Sequence, residues 1–364
     1  MKRIARLPAL AGFALALFAA AVQGAAPSAG AGPQQRLQAA LPALLAQQRI
    51  ASVSIAHIEN RRLVFSIAQG EAGPGSAATP ATLYNVASLA KPLSAETVLR
   101  LAARQNVDLD EPMYTHWLDP DIAGDPRARL LTPRLSLSHR TGFPNWRDGK
   151  LAFQQQPGTR IGYSGEGFEY LARFVANKTG TPLDQWAQQL VFGPAGMQET
   201  AYTRQPWFDG RLALPHDGDG KVLPLQIRTQ ALASDDVFST PRDYARFLIA
   251  LMQGQGLTPA LAAERARIQS DRRADFCKPP RANDCPQEIG FGLGWESFLI
   301  DGRRYLLHTG KDEGTFTLAY FSPDSGNGTV IFTNSNNGAQ AVLPVLDLIG
   351  QDAAFVALLR RMAG

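Results

Sequence analysis

One stretch decides how this chain is interpreted: Tyr84-Asn85-Val86-Ala87-Ser88-Leu89-Ala90-Lys91-Pro92-Leu93-Ser94-Ala95-Glu96-Thr97-Val98-Leu99. It predicts a loop that leads into a helix with an apolar face. Residues i and i+3 share a helix face, so the Lys91 amine can reach the Ser88 hydroxyl. A serine hydroxyl needs a neighbouring base to become an effective nucleophile, and lysine can be that base when it is buried. The same four residues also fit an exposed serine beside a solvated lysine, so the rest of the chain must decide.

The N-terminus predicts a signal peptide at residues 1–24. A positively charged start is followed by an apolar run from Leu7 to Val22 and by a small-residue cleavage site before Ala25. The apolar run is short for a membrane anchor and a polar stretch follows it, so we expect no integral anchor after cleavage. Residues 25–33 are expected to be disordered. The sequence therefore predicts a periplasmic or secreted protein.

The charge balance does not indicate a nucleic-acid partner. The chain of 364 residues has 36 Lys and Arg against 32 Asp and Glu. Three of the basic residues lie in the predicted signal peptide, so the remaining chain is close to neutral. An apolar content of 45% is ordinary for a globular protein, and we expect one domain over residues 34–364.

The two cysteines, Cys277 and Cys285, predict a local disulfide, because an exported chain meets an oxidising compartment. A zinc site would need more ligands. Asp235 and Asp236 have no appropriately spaced third carboxylate in the sequence, so a solvated or capping role is expected for them. We therefore predict neither a metal nor a cofactor.

Hydrophobic periodicity predicts an α/β fold of the α+β type. An antiparallel β-sheet made from distant segments is flanked by N- and C-terminal helices, and a mostly helical lobe at about 108–250 is inserted into it. Thr240 is expected to cap a helix, with Asp243 reaching back to it. The predicted strands are Ser52–His57, Arg62–Gln69, Gly292–Leu299, Arg303–Leu307, Thr315–Phe321 and Thr329–Thr333, and the predicted helices include Gln34–Gln48, Glu166–Lys178, Leu183–Val191 and Val342–Met362.

Further motifs follow the Ser88 stretch in a defined order. They are Leu135-Ser136-Leu137-Ser138-His139-Arg140-Thr141-Gly142-Phe143-Pro144, Tyr163-Ser164-Gly165, Phe291-Gly292-Leu293-Gly294-Trp295, His308-Thr309-Gly310 and Phe332-Thr333-Asn334. In this order and spacing, from about Arg36 to the C-terminus, the chain resembles the serine penicillin-binding protein and class C β-lactamase superfamily. Related esterases, D,D-peptidases and D-aminopeptidases belong to that superfamily.

The resemblance implies a role for each motif. Ser88 would attack a carbonyl and form an acyl-enzyme, while Lys91 and Tyr163 would handle the protons. Which of these two is the formal base stays open. The backbone N–H groups of Ser88 and Lys311 would form the oxyanion hole, beside Thr309 and Gly310, and losing one such donor costs ~3–4 kcal/mol in this chemistry.

The chain also departs from the pattern of the superfamily. Gly165 stands where many relatives have the asparagine of Tyr-x-Asn, which removes an amide that would contact substrate and help to hold the lysine. His308 replaces a lysine and is expected to be a weaker, pH-dependent electrostatic partner. His139 is expected to tie down a loop and not to perform chemistry.

These observations predict an exported serine hydrolase that acts through a Ser88 acyl-enzyme. Its substrate would be a small-molecule or peptide acyl compound: an ester, or a D-amino-acid amide or peptide. A true class C-like β-lactamase is one alternative, disfavoured by Gly165. A catalytically weak cell-wall peptide-binding or regulatory protein is another. The sequence leaves the oligomeric state open.

Overall fold

The computed structural model describes residues 31–278 and 285–363. The predicted signal peptide and the predicted disordered stretch up to residue 30 lie outside the described residues. The strands are β1 (Ser52–Glu59), β2 (Arg62–Gly73), β3 (Ser76–Ala77), β4 (Tyr84–Asn85), β5 (Phe238–Ser239), β6 (Ser270–Asp271), β7 (Glu288–Phe291), β8 (Glu296–Ile300), β9 (Arg303–Asp312), β10 (Thr315–Phe321) and β11 (Gly328–Thr333). The helices are α1 (Pro33–Gln48), α2 (Ala90–Ala103), α3 (Pro133–Leu137), α4 (Gly165–Thr179), α5 (Leu183–Ala187), α6 (Gly193–Ala195), α7 (Pro241–Met252), α8 (Pro259–Ala266), α9 (Arg273–Phe276), α10 (Val342–Ile349) and α11 (Ala353–Ala363).

The large sheet joins strands from both ends of the chain. Its order is β3-β2-β1-β11-β10-β9-β8-β7-β6, with antiparallel pairing between neighbours. Across its centre, Ile55 lies opposite both Ile67 and Ile331, and Ile331 lies opposite Leu318. Such rows of apolar cross-strand pairs stabilise a sheet and set its register. The antiparallel sheet expected from the sequence is confirmed.

Each face of the sheet is covered by a different layer of helices. Successive side chains of a strand point to opposite faces. Ile55 and Ile331 pack in one apolar cluster with α1, α10 and α11, whereas Ala56 and Phe332 pack in another cluster with α2, α4 and α7. Between β4 and β6 the described chain is helical or irregular apart from β5 and isolated bridges, as predicted for the inserted lobe.

Helix α2 lies at the centre of the molecule. Its residues from Ala90 to Leu101 are all buried, as expected for a helix that is surrounded on every side. The Thr240 cap of α7 is also found, since its hydroxyl accepts a bond from the Asp243 N–H at 3.2 Å. Contrary to the prediction, the Asp243 carboxylate does not reach back to the cap. It accepts a bond from the Glu199 N–H and pairs with Arg246.

Some predicted elements are wrong in their bounds. The stretch Gly292–Leu299 is not one strand, because a turn at 292–295 separates β7 from β8; Gly294 has φ +81°, and a side chain there would overlap that of Ala95 on α2. The closing helix is broken between α10 and α11, where Gly350 has φ +77°. The predicted Cys277–Cys285 disulfide is present. Within the described ranges, no helix combines the length and apolarity needed to cross a membrane.

Candidate active site

Ser88 and Lys91 meet at the start of α2. Ser88 lies in a single 3-10 turn, Ala87–Leu89, that runs directly into the helix. Lys91 Nζ donates a hydrogen bond to Ser88 Oγ at 3.0 Å and a second to the carbonyl of Ser234 at 2.9 Å. Only 1% of Lys91 is exposed, so its amine is held in one place and directed at the hydroxyl. In its neutral form, the amine is placed to take the proton of Ser88 without help from solvent.

The turn that carries Ser88 is held in an unusual backbone conformation. Ala87 has φ +48°, which costs energy for a residue with a side chain. The Asn85 side chain accepts a bond from the Ala87 N–H at 2.8 Å and donates to the Asp236 carboxylate at 2.9 Å. From the sheet, the Thr317 hydroxyl donates to the Val86 carbonyl at 2.8 Å. These contacts fix the position of the Ser88 turn relative to the sheet.

Strand β9 approaches this turn closely at Gly310. A Cβ atom on Gly310 would overlap the Val86 carbonyl oxygen and would lie 3.1 Å from the Ala87 side chain. Strand β8 pairs with β9 only as far as Leu307, so the His308–Asp312 portion is a free edge on that side among the described strands. The motif therefore lies inside an extended strand, whereas the sequence predicted that it follows one. The Lys311 side chain is exposed, and its backbone N–H stays the predicted second oxyanion donor.

The side chains of His308 and Thr309 point to opposite faces of β9. His308 is buried on the side of the nucleophile, and its Nδ1–H donates to the Thr309 carbonyl at 2.8 Å. The Thr309 side chain lines a cavity of about 20 Å³, room for one water, with Leu307, Leu318 and the residues of α11 on the far face. Only the backbone of Thr309 is thus placed beside the site.

His308 is an uncharged imidazole at neutral pH. Burial, together with the positive charge of Lys91, lowers the pKa of His308 to about 3. The expectation that His308 is a pH-dependent electrostatic partner is therefore wrong near neutral pH. With Nδ1 donating to a carbonyl, Nε2 is left as an acceptor, and it has no hydrogen-bond partner within the described part of the chain.

Tyr163 lies against the amine of Lys91. Its ring centroid is 4.8 Å from Lys91 Nζ, and the ring stacks on His139 at 4.3 Å. His139 holds the loop on both sides of the tyrosine: its carbonyl accepts from the Gly162 N–H at 2.8 Å, and its Nδ1 accepts from the Ser164 N–H at 3.1 Å. Burial lowers the pKa of His139 well below its ordinary value, so Nδ1 stays an acceptor. This is the loop-holding role that the sequence predicted.

The space around Gly165 is already filled. A Cβ atom on Gly165 would lie 3.0 Å from the Asn145 carbonyl oxygen and 3.1 Å from the indole ring of Trp146, which is 45% exposed. The Gly165 N–H donates to the Asn145 side chain at 2.9 Å. A side chain at residue 165 would therefore require the Asn145 carbonyl and the Trp146 ring to shift by a few tenths of an ångström, so this packing favours glycine.

A third carboxylate joins Asp235 and Asp236, contrary to the prediction. Asp312 lies two residues beyond Gly310 on the same face of β9, and carboxylate oxygens of the three groups lie within 4.8 Å of one another. Burial, together with the charge of Asp235, raises the pKa of Asp312 to about 8. Burial also raises the pKa of Asp235, so the Asp235–Asp312 pair keeps a proton near neutral pH. Such oxygens suit a hard divalent cation in principle, but a retained proton competes with one.

The buried Lys91 amine beside the Ser88 hydroxyl is the arrangement expected of an acyl-transferring serine enzyme. The family model described as Beta-lactamase matches residues 37–353, and the chain belongs to that family.

Relatives and solved structures extend the comparison. The chain is 26% identical to the D-alanyl-D-alanine-carboxypeptidase/endopeptidase AmpH of Escherichia coli (strain K12), over 76% of this chain and 78% of the relative. It is 28% identical to Esterase EstB of Burkholderia gladioli, over 53% of this chain and 57% of the relative. The octameric penicillin-binding protein homologue from Pyrococcus abyssi superposes with a TM-score of 0.72 at 17% identity, over 86% of this chain and 77% of that one, which shows a shared fold.

Proposed function

We propose that this protein is a serine acyl hydrolase that forms an acyl-enzyme at Ser88 from esters or from D-alanyl amides and peptides. The observation that carries the proposal is the buried Lys91 Nζ at 3.0 Å from Ser88 Oγ. The similarity to a carboxypeptidase/endopeptidase and to an esterase supports the same substrate classes. All of Ser88, Lys91, Tyr163 and His308 are present, which disfavours a protein that only binds peptides.

The reaction has two chemical steps. Ser88 Oγ attacks the carbonyl carbon while its proton passes to Lys91 as the neutral amine or, where Lys91 is the ammonium, to Tyr163 as the phenolate. The carbonyl oxygen becomes an oxyanion between the N–H groups of Ser88 and Lys311. The leaving alcohol or amine takes up the proton as its bond to the carbonyl carbon breaks. Water then attacks the ester of Ser88 in the same way and releases the acid. The close approach at Gly310 sets the distance between the two oxyanion donors.

Hydrolysis of β-lactams is the second candidate, and the surroundings of Gly165 disfavour it. The amide that would contact the substrate is missing, and the indole of Trp146 borders the place where it would lie. A buried group that recognises substrate by a hydrogen bond contributes strongly to discrimination, so its absence weakens the handling of acylamino β-lactams.

The test combines turnover with intact mass. The purified protein and its Ser88→Ala variant are mixed separately with a p-nitrophenyl ester, a D-alanyl-D-alanine peptide and benzylpenicillin, and both adducts and products are followed with time. We expect ester or peptide turnover that disappears in the variant, with an unchanged Tm. A persistent penicilloyl adduct would indicate a peptidase-like enzyme, and rapid ring-opened product would indicate a β-lactamase. Turnover that survives in the variant, or no Ser88-dependent chemistry at all, would contradict the proposal.

We also propose that the protein is exported to the periplasm or secreted. The proposal is supported by the predicted signal peptide and by the Cys277–Cys285 disulfide, which persists in oxidising compartments. N-terminal sequencing after fractionation of producing cells tests it. We expect a chain that begins at Ala25 outside the cytoplasm, whereas an uncleaved chain in the cytoplasm would contradict the export.

A further inference from the structure

Glu169 lies on the same face of α4 as Gly165, one helical turn further on. One oxygen of its carboxylate accepts two hydrogen bonds from Ser234, from the backbone N–H at 3.0 Å and from the hydroxyl at 2.6 Å. The carbonyl of this same Ser234 accepts the hydrogen bond from Lys91 Nζ at 2.9 Å. A single residue therefore connects the Glu169 carboxylate to the catalytic amine.

We propose that Glu169 is a positioning residue that holds Lys91 against Ser88 through Ser234. This inference rests on the proposed function, in which Lys91 serves the acylation of Ser88. Glu169 does not touch Ser88, so its effect passes through the Ser234 carbonyl and through its charge.

The surroundings of Lys91 explain why such a residue is needed. Lys91 is almost fully buried, and no carboxylate lies within ion-pair distance of it among the described residues. Its two hydrogen-bond acceptors are neutral oxygens, from Ser88 and Ser234. A buried ammonium is costly unless it is hydrogen-bonded and partly compensated. Glu169 orients the Ser234 carbonyl, and its negative charge acts on Lys91 across one hydrogen-bonded residue, which strengthens the chain of bonds. The Asp235 carboxylate also interacts with the charge of Lys91, but it makes no hydrogen bond to Ser234 among the described residues.

Glu169 also replaces a function of the Tyr-x-Asn asparagine, which is Gly165 in this chain. By the resemblance to the superfamily, the asparagine of Tyr-x-Asn helps to hold the lysine, and this chain has Gly165 there. The i, i+4 spacing places Glu169 below Gly165 on α4, where the Ser234 segment passes. The group that holds the lysine thus lies one turn further along α4 than the asparagine of the superfamily pattern would.

The charge on Glu169 is balanced by its neighbours. Burial raises the pKa of Glu169, whereas the bonds from Ser234 and Ala233 and the charge of Lys91 on α2 lower it. Tyr202 also faces this charge, which contributes to the raised pKa of its own hydroxyl. Protonation of Glu169 at acid pH would remove the compensating charge while leaving the fold in place.

The Glu169→Gln variant separates positioning by charge from a purely structural role. Glutamine can still accept from Ser234 through its amide oxygen, but it carries no charge. We expect kcat for the ester or peptide that the wild type turns over to fall about 10- to 100-fold with KM within about twofold, because in this proposal Glu169 acts through Lys91 and not on the substrate. The acid limb of the kcat/KM profile should also change. Wild-type kcat and an unchanged pH profile in this variant would overturn the proposal.

A matched control removes another buried carboxylate far from the site. Asp352 accepts bonds from the hydroxyls of Tyr305 and Tyr320, on the face of the sheet covered by α10 and α11. Asp352→Asn is expected to change Tm while leaving kcat and its pH profile as in the wild type. An equal kcat loss in Asp352→Asn and Glu169→Gln would mean that general loosening of the core explains both, against the proposal.

A double-mutant cycle tests the coupling without any activity. Tm is measured for the wild type, Glu169→Gln, Lys91→Met and the double variant. We expect the effect of Glu169→Gln on Tm to differ by ~2–4 °C when Lys91 is already absent. Additive effects would overturn the coupling even if Ser88 proves to be the nucleophile. Non-additive effects in a protein without Ser88-dependent turnover would support the coupling and reject the proposed function.

Discussion

The two ends of α2 carry buried cations in opposite situations. Near its C-terminal end, Arg100 donates to the Glu96 carboxylate at 2.7 Å, and Arg265 donates to the other oxygen of the same carboxylate at 3.2 Å. At its N-terminal end, Lys91 donates to the neutral oxygens of Ser88 and Ser234 and to no other group in the described part of the chain. Lys91 and Arg100 are each at most 3% exposed, so the two ends differ in the partners of their cations and not in burial.

This difference separates a structural charge from a reactive one. A buried cation in direct contact with a carboxylate is held by that ion pair, and breaking the pair leaves an uncompensated charge in the core. A buried amine that contacts a hydroxyl can exchange a proton with it, because the amine is not held in a direct ion pair with a carboxylate. Under the proposed function, one helix thus supports the fold at one end and chemistry at the other.

The largest effect is expected from Lys91→Met. Removing the amine should lower kcat/KM by ~10³-fold, within the range contributed by positioned proton-transfer groups. Tm should be unchanged or higher, because a buried cation without a contacting carboxylate is replaced by an apolar side chain of similar length. Steady-state kinetics and thermal unfolding of the same preparation check both expectations. Activity within tenfold of the wild type would contradict the reactive role of this end of α2.

Arg100→Met should show the reverse pattern. We expect the free energy of unfolding to fall by ~3 kcal/mol, because Glu96 keeps only Arg265 as its partner. The kcat per folded molecule should stay as in the wild type. Urea unfolding followed by tryptophan fluorescence gives the stability change. A loss below ~1 kcal/mol would mean that the ion pair is not what distinguishes the two ends.

Gly310→Ala tests the contact that completes the reactive end. The new Cβ atom would overlap the Val86 carbonyl oxygen, a backbone atom that cannot turn away. The separation of β9 from the Ser88 turn should increase, and we expect kcat to fall ~10²-fold as the oxyanion donors part. Gly124→Ala is the matched control, because nothing lies within 4 Å of a Cβ atom at that residue. Equal activities in the two variants would contradict the close approach.

Local features of the site could be predicted from the sequence, whereas contacts from distant segments could not. The i, i+3 spacing of Ser88 and Lys91 is a property of any helix. The Ser234 carbonyl, 143 residues from Lys91, is a backbone atom and leaves no signal in the sequence. Glu169 has the appearance of an ordinary helix residue until the fold places Ser234 beside it.

Some of the wrong predictions concern features that do have a signal in the sequence. The sequence predicts a strand that ends at Leu307, yet pairing with β10 continues β9 to Asp312. A strand extended in this way places Asp312 on the same face as Gly310. The break between α10 and α11 is marked by Gly350, which has the left-handed conformation of a helix end. The packing of Trp146 on Gly165 joins a loop to the start of α4 and has no comparable signal.

The smallest effect concerns the carboxyl pair near the reactive end. Asp312 keeps its proton in the native state up to a pKa of about 8, whereas in the unfolded chain it loses it near its ordinary value of 3.8. Between these pH values the native state binds more protons than the unfolded state, so this group makes stability fall as pH rises. In Asp312→Asn, the new side-chain amide would donate to Asp235 as the protonated acid does, without titrating. Tm of this variant should therefore match the wild type near pH 4 and exceed it by ~2–4 °C near pH 8. Asp219→Asn, at an exposed residue, serves as control. If the Tm difference between Asp312→Asn and the wild type does not vary with pH, Asp312 is already ionised, and the reactive end holds a charged carboxylate as the Arg100 end does.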